Sequence, residues 1–123
     1  MLNDRYKQGL EKLREIEGNA ADEALALLKT ASPDLARYCI EYPLGDIYSR
    51  RGLDIKMREL STISALTVLG NAPLQLKIHI KAALRVGCTE DEIKEIIIQM
   101  SIFAGFPAAI NAMLFAEEVF CEN

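Results

Sequence analysis

The chain has one histidine and three cysteines, and this scarcity excludes more chemistry than any single motif supplies. Cys39, Cys88 and Cys121 stand far apart, with no CxxC and no paired histidine spacing, so neither a disulfide framework nor a zinc site is signalled. Each reads as a small, packed free thiol. One histidine with scattered carboxylates at non-ligand spacing makes no metal site, and none is expected. Positive charge is not in excess: the formal net charge is −4 and the pI near 5.0, a field that favours neither nucleic acid nor an anionic membrane. A local basic cluster of Arg50, Arg51, Lys56 and Arg58 runs against that average. It reads either as a solvated, ion-paired face or as a rim that attracts an anionic substrate. The opening MLNDRYKQGLEKLREIEG lacks the apolar core of a secretory signal, so a cytoplasmic location is expected. Internal repeats and low-complexity segments are also missing.

Apolar sequence is abundant. Half of the residues are hydrophobic and the mean hydropathy is +0.09, high for a small soluble monomer, so some apolar surface is expected to meet another subunit. At 123 residues the length fits a single domain over 1–123 with one core. The stretch 96–116 is long and apolar enough to raise a membrane span, yet Gln99, Asn111 and Gly105-Phe106-Pro107 interrupt it. Two buried helices meeting at a turn explain it better.

Periodicity and capping predict an all-α bundle of about six to seven helices with short turns. Tyr6, Leu10, Leu13 and Ile16 mark an amphipathic helix over 4–17, stopped by Gly18. A second helix spans Ala20 to Ala31, with Asp22 and Glu23 in its first turn. Ser32 as N-cap and Pro33 as first residue open a third, through Tyr42, whose end Pro43 and Gly45 leave open. Residues 47–51 either continue it or form a bent connector closed by Gly52 in the C′ position. Asp54 is a suitable cap for a fourth helix running to Leu69 and Gly70. Leu74, Leu76, Ile78 and Ile80 alternate with polar residues, the period of a strand, but a hairpin would lack a third strand, and a helix from Pro73 to Gly87 is preferred. Thr89 and Glu92 form a capping box for a sixth helix. Ile93, Ile96, Ile97, Met100 and Phe103 are its expected buried stripe, with Ile98 and Ile102 as surplus apolar surface. Pro107 opens the last helix, to Phe120. Met57, Met100 and Met113 read as core filler.

Within this apolar frame, Arg58, Glu59, Gln75 and His79 are the polar residues that could do chemistry. Two helices joined at 70–73 lie side by side, so Glu59 and His79 can share one pocket despite twenty residues of separation. A carboxylate and an imidazole in hydrocarbon surroundings have environment-set proton affinity and are candidates for catalysis. Each also has a structural reading: His79 as a satisfied core residue, Glu59 as a helix-surface carboxylate. Arg58 either clamps a substrate carboxylate or holds a structural ion pair. Tyr48 either lines a pocket mouth or packs, and Asp46 is a weaker candidate of the same kind.

Taken together, RELSTISAL and LKIHIKAALRVGCTEDEIKEIIIQMSIFAGFPAAINAML resemble the carboxymuconolactone decarboxylase family, the fold group that includes the alkylhydroperoxidase D-like proteins. The resemblance runs from about Leu53 to Val119. It implies an alkylhydroperoxidase D-like orthogonal helical bundle that assembles into trimers or hexamers with a pocket near subunit contacts. It also implies roles for Glu59 and His79, the expected catalytic pair; Arg58, Gln75 and Tyr48 are expected toward the substrate on their own chemistry rather than on the resemblance. The decarboxylase branch acts on a carboxylated muconolactone in aromatic-acid catabolism, without metal or organic cofactor. The other branch is a peroxide-linked disulfide reductase with a CxxC four residues ahead of the histidine. Here those positions hold Ala72 and Gln75, which disfavours a thiol cycle. A small-molecule carboxylate is thus the expected partner, and an oligomeric ligand-binding protein without catalysis and a structural subunit with no ligand are the remaining alternatives.

Overall fold

The computed structural model describes residues 3–122, and all regular structure among them is helical, with no strand. Two compact units divide the chain, Met1–Asp54 and Ile55–Asn123.

The first unit contains α1 (Asp4–Glu17), α2 (Ala20–Ala31), α3 (Pro33–Cys39) and a π-helical segment, Ile40–Tyr48. Asn3 caps α1 by accepting the Tyr6 N–H at 2.7 Å, and Gly18 ends it at a φ of 64° that favours glycine. Ser32 caps α3 with Pro33 in its first turn, as the sequence predicts. The third helix then widens where its end was left open. Pro43 can neither donate to residue 39 nor sit comfortably over that carbonyl in a 3.6-residue turn, and a wider turn relieves both problems. Gly52 is not among the positive-φ glycines, so the expected C′ closure there does not form. Tyr6, Leu13, Ala21, Leu25, Ala36 and Ile40 make the core. Two glycines permit its tightest contact: a Cβ at Gly9 would lie 1.9 Å from the Ile40 carbonyl oxygen, and one at Gly45 2.4 Å from that of Arg5.

The second unit is a four-helix arrangement of α4 (Ile55–Leu69), α5 (Pro73–Arg85), α6 (Glu90–Ala104) and α7 (Phe106–Cys121). Helix α4 packs on the other three, and α7 on α5 and α6. Gly70, Gly87 and Gly105, all at positive φ, make the turns between them. The strand-like alternation of 74–81 resolves as a helix: Leu76, Ile80 and Ala83 face the core at spacings of four and three, while Leu74 is left exposed. The capping box on α6 forms in full. The Thr89 N–H donates to Glu92 Oε1 at 2.8 Å and the Glu92 N–H to Thr89 Oγ1 at 3.0 Å, which holds the Glu92 carboxyl below its ordinary range.

Ile63, Ile80, Ile93, Ile97 and Val119 are almost wholly buried and centre this core, each stabilising it by about 1.5–3 kcal/mol. Three expectations of burial fail. Phe103 is exposed, because at about 100° per residue it stands roughly 120° round α6 from Ile97. Met57 is half exposed and is not core filler, and Cys121 is exposed at the end of α7, unlike the buried Cys88. Among the described residues no helix is long and apolar enough to cross a membrane, since the stretch 96–116 is divided between α6 and α7 at Gly105.

Candidate functional site

Helix α4 buries one stripe, Glu59, Ile63 and Thr67, at helical spacing of four. A carboxylate at the head of this buried stripe is the anomaly in this unit, because an isolated charge in such surroundings costs several kcal/mol. Its partner comes from α5. His79 Nδ1 lies 2.8 Å from Glu59 Oε2, with the glutamate side chain fully buried and the histidine side chain 25% exposed. Counting from the turn at 70–73 at 1.5 Å per residue gives an axial offset of roughly 7 Å between the two positions, and the two side chains nonetheless meet.

The geometry sets the direction of proton traffic. A carboxylate at Glu59 can only accept, so in that state Nδ1–H donates to it and Nε2 is the ring nitrogen that this contact leaves unengaged. The second carboxylate oxygen, Glu59 Oε1, is buried and has no hydrogen-bond partner. A lone pair in that state calls for a donor that a bound molecule or water would supply. The arrangement can therefore hold an imidazole in one tautomer and orientation, and pass a proton through the ring nitrogen that Glu59 does not engage.

The other sequence-predicted residues are placed as follows. Arg58 is half-buried on α4 beside Glu59, about 100° further round the helix. Gln75 is exposed on α5, one turn before His79 on the same face. Tyr48 is partly buried at the end of the π-helical segment, in the first unit, and Asp46 in that segment is taken up by Arg5, whose Nε and Nη2 donate to it at 2.9 and 2.7 Å. Sequence reasoning passed over Thr67, and its hydroxyl is already committed, donating to the Ile63 carbonyl at 2.8 Å. An open groove of about 620 Å³ lies between α4 and α6, with Leu60, Ile98 and Ile102 in its lining and Asp91 and Glu95 on its rim; neither Glu59 nor His79 lines it. Among the described residues no three His, Cys, Asp or Glu side chains are grouped to hold a metal ion.

Comparison with known proteins gives this pair a context. The chain is 39% identical to a 4-carboxymuconolactone decarboxylase of Acinetobacter baylyi over 122 residues, 97% of this chain and 90% of that protein. It is 42% identical to an uncharacterized 15.0 kDa protein of Paracoccus denitrificans over 124 residues, covering 100% of this chain and 92% of the other. A shorter match, 35% over 78 residues, relates 63% of the chain to 54% of a nitrosuccinic acid decarboxylase of Metarhizium robertsii. The model of the carboxymuconolactone decarboxylase family matches residues 33–118, a span that takes in α4, α5 and the Glu59–His79 contact, and the chain belongs to that family.

Proposed function

We propose that this protein is a decarboxylase for a small carboxylic acid in which loss of CO₂ leaves a carbanion delocalised into a neighbouring acceptor group. The contact of His79 with the buried Glu59 carries the reading. The two acids named for its relatives share the necessary feature: departure of a carboxyl group leaves charge that a lactone carbonyl accepts in one case and a nitro group in the other. Such a substrate contains its own electron sink, so the chemistry needs no metal or organic cofactor. What remains for the protein is to hold the carboxylate away from water, stabilise the developing charge and deliver one proton to carbon.

His79 is the proton donor through Nε2, and general acid catalysis of this kind contributes about 10²–10⁴-fold. Glu59 positions the ring. Gln75, on the same face of α5, and Arg58, next to Glu59, are the proposed substrate contacts, the arginine suited to a carboxylate in the bidentate manner. The test is CO₂ release from 4-carboxymuconolactone and from nitrosuccinate. Wild-type protein should turn over at least one of them; His79→Gln and Glu59→Gln should each lower kcat by roughly a hundredfold or more with helical content unchanged. No release from either acid by the wild type would overturn the reading.

The same proposal includes a homo-oligomer, a trimer or a hexamer. Ile98, Ile102, Phe103, Phe106, Ile110 and Leu114 are 53–75% exposed, and no charged residue occurs from Ile96 to Ala116. At about 200 Å² for a large side chain, these six expose on the order of 800 Å², the area a standard interface buries per partner. A second copy set against this face buries no charge. Light scattering at micromolar concentration checks it, and a stable 13.7 kDa monomer would remove this part of the proposal.

A further inference from the structure

We infer that the Glu59–His79 pair also catalyses exchange of hydrogen between solvent and the carbon that gains a proton in decarboxylation, an activity that needs no CO₂. The inference rests on the decarboxylase reading and adds a second reaction to the same site. In the forward direction a C–C bond breaks, its electron pair moves into the acceptor group, and a proton passes from imidazolium Nε2 to carbon. The group that donates in one direction must accept in the other. With product bound, neutral His79 therefore takes a proton from that carbon: the C–H bond breaks, an N–H bond forms at Nε2, and the electron pair returns to the acceptor oxygens as an enolate or nitronate. Reprotonation closes the cycle, and no oxidant or other reactant is consumed.

Two features of the pair make this exchange visible. Full burial of Glu59 and its 2.8 Å contact with Nδ1 fix the ring in one tautomer, with Nε2 as the nitrogen that works. The His79 side chain is 25% exposed, so the ring is not sealed from water and a proton it has taken can trade with solvent, whereas a walled-off imidazole would return the hydrogen it took. A ring fixed from one side also reaches one face of a bound molecule. Of two hydrogens on a CH₂ group it exchanges one.

The probes are 3-nitropropanoate, which remains when nitrosuccinate loses the carboxyl beside its nitro group, and the lactone formed by loss of CO₂ from 4-carboxymuconolactone. Each is incubated with wild-type protein in D₂O and followed by proton NMR, while decarboxylation of the parent acids is measured on the same preparation. For an acid that is turned over, its product should exchange roughly a hundredfold or more faster than in buffer, and the enzymatic phase should stop at one deuterium where buffer goes on to two. His79→Gln should return exchange to the buffer rate. Glu59→Gln should slow it and displace its pH profile. Because either variant could lose its fold, the one-hydrogen selectivity of the unaltered protein stands as an independent readout. Decarboxylation without exchange above buffer, equal loss of both hydrogens, or undiminished exchange by folded His79→Gln would overturn the inference and leave the decarboxylase reading in place. Turnover of neither parent acid would overturn that reading, and the inference with it.

Discussion

Glu41 in the π-helical segment and Glu59 in α4 are the two carboxylates buried among the described residues, and their surroundings treat them differently. Glu41 has a partner at each oxygen: Asn3 Nδ2 donates to Oε2 at 2.6 Å, and Arg37 Nε forms an ion pair 3.7 Å from Oε1. Arg37 is half exposed, so its charge is screened by solvent. Glu59 is buried more completely, has a single partner and keeps one oxygen with none. As support for a fold the second arrangement is the poorer one, since a buried acceptor without a donor costs about 1–3 kcal/mol. A hydrogen bond and an ion pair mark Glu41 as structural, whereas Glu59 keeps one buried oxygen able to accept a further hydrogen bond.

Removing each carboxylate's partner tests that difference most severely. His79→Leu leaves the Glu59 charge buried with nothing to offset it and should lower unfolding free energy by about 3–5 kcal/mol. Adding Glu59→Leu should recover most of that loss, because an apolar pair replaces a buried charged one at little cost or at a gain. Asn3→Ala removes a helix cap and one donor of Glu41, yet the Arg37 ion pair remains, so about 1 kcal/mol is expected. Urea unfolding measures all three. If the double variant stays as unstable as His79→Leu, or if Asn3→Ala costs as much, the contrast between the two glutamates fails.

The same contrast shows what the amino-acid order reveals. Caps are local, so Ser32 with Pro33, Thr89 with Glu92, and the glycines at 18, 70, 87 and 105 could be read along the chain, and with them nearly every helix boundary. The meeting of Glu59 with His79 was legible too, because one short turn links α4 to α5 and periodicity places both residues on facing stripes. Glu41 was not legible: its burial depends on Asn3, 38 residues away. Nor was the π-helical segment, because Pro43 announces a disturbance in a helix without saying whether the chain stops or widens. Phe103 and Met57 failed for a third reason. A hydrophobic residue is core only if another element covers it, and coverage is a property of packing.

A smaller effect should come from the backbone contact that holds the Glu41 segment against α1. Gly9→Ala sets a methyl group 1.9 Å from the Ile40 carbonyl oxygen, and backbone on both sides cannot yield as a side chain would. A loss of about 2 kcal/mol or more is expected. Gly52→Ala is the matched control: nothing lies within 4 Å of its Cβ and its φ is not positive, so the change should be neutral or stabilising by up to about 1 kcal/mol. Thermal unfolding of the two variants separates these outcomes. Equal stability would show that α1 and the π-helical segment can part without penalty.

The smallest effect concerns exposed carboxylates, and it sharpens the comparison by supplying the ordinary case. Hydrogen bonds from Arg5 hold the Asp46 carboxyl below its usual range, and the Thr89 N–H does the same for Glu92. In each case the folded state releases the proton more readily than the unfolded one. The unfolded chain therefore binds more protons across that interval, and stability rises with pH through it. The contribution is complete above the ordinary carboxylate value and is lost as pH falls through the lowered folded value. The urea midpoint should accordingly be flat near neutrality and decline on the acid side, with a shallower decline in Asp46→Asn and in Glu92→Gln. Salt distinguishes the two. Near 1 M, where the screening length is about 3 Å, the Asp46 contribution should shrink more, because it depends on a charged guanidinium in open solvent, whereas that of Glu92 depends first on a backbone N–H at 2.8 Å. Equal loss at both positions would mean that the capping box acts through its neighbour Lys56 rather than through the hydrogen bond.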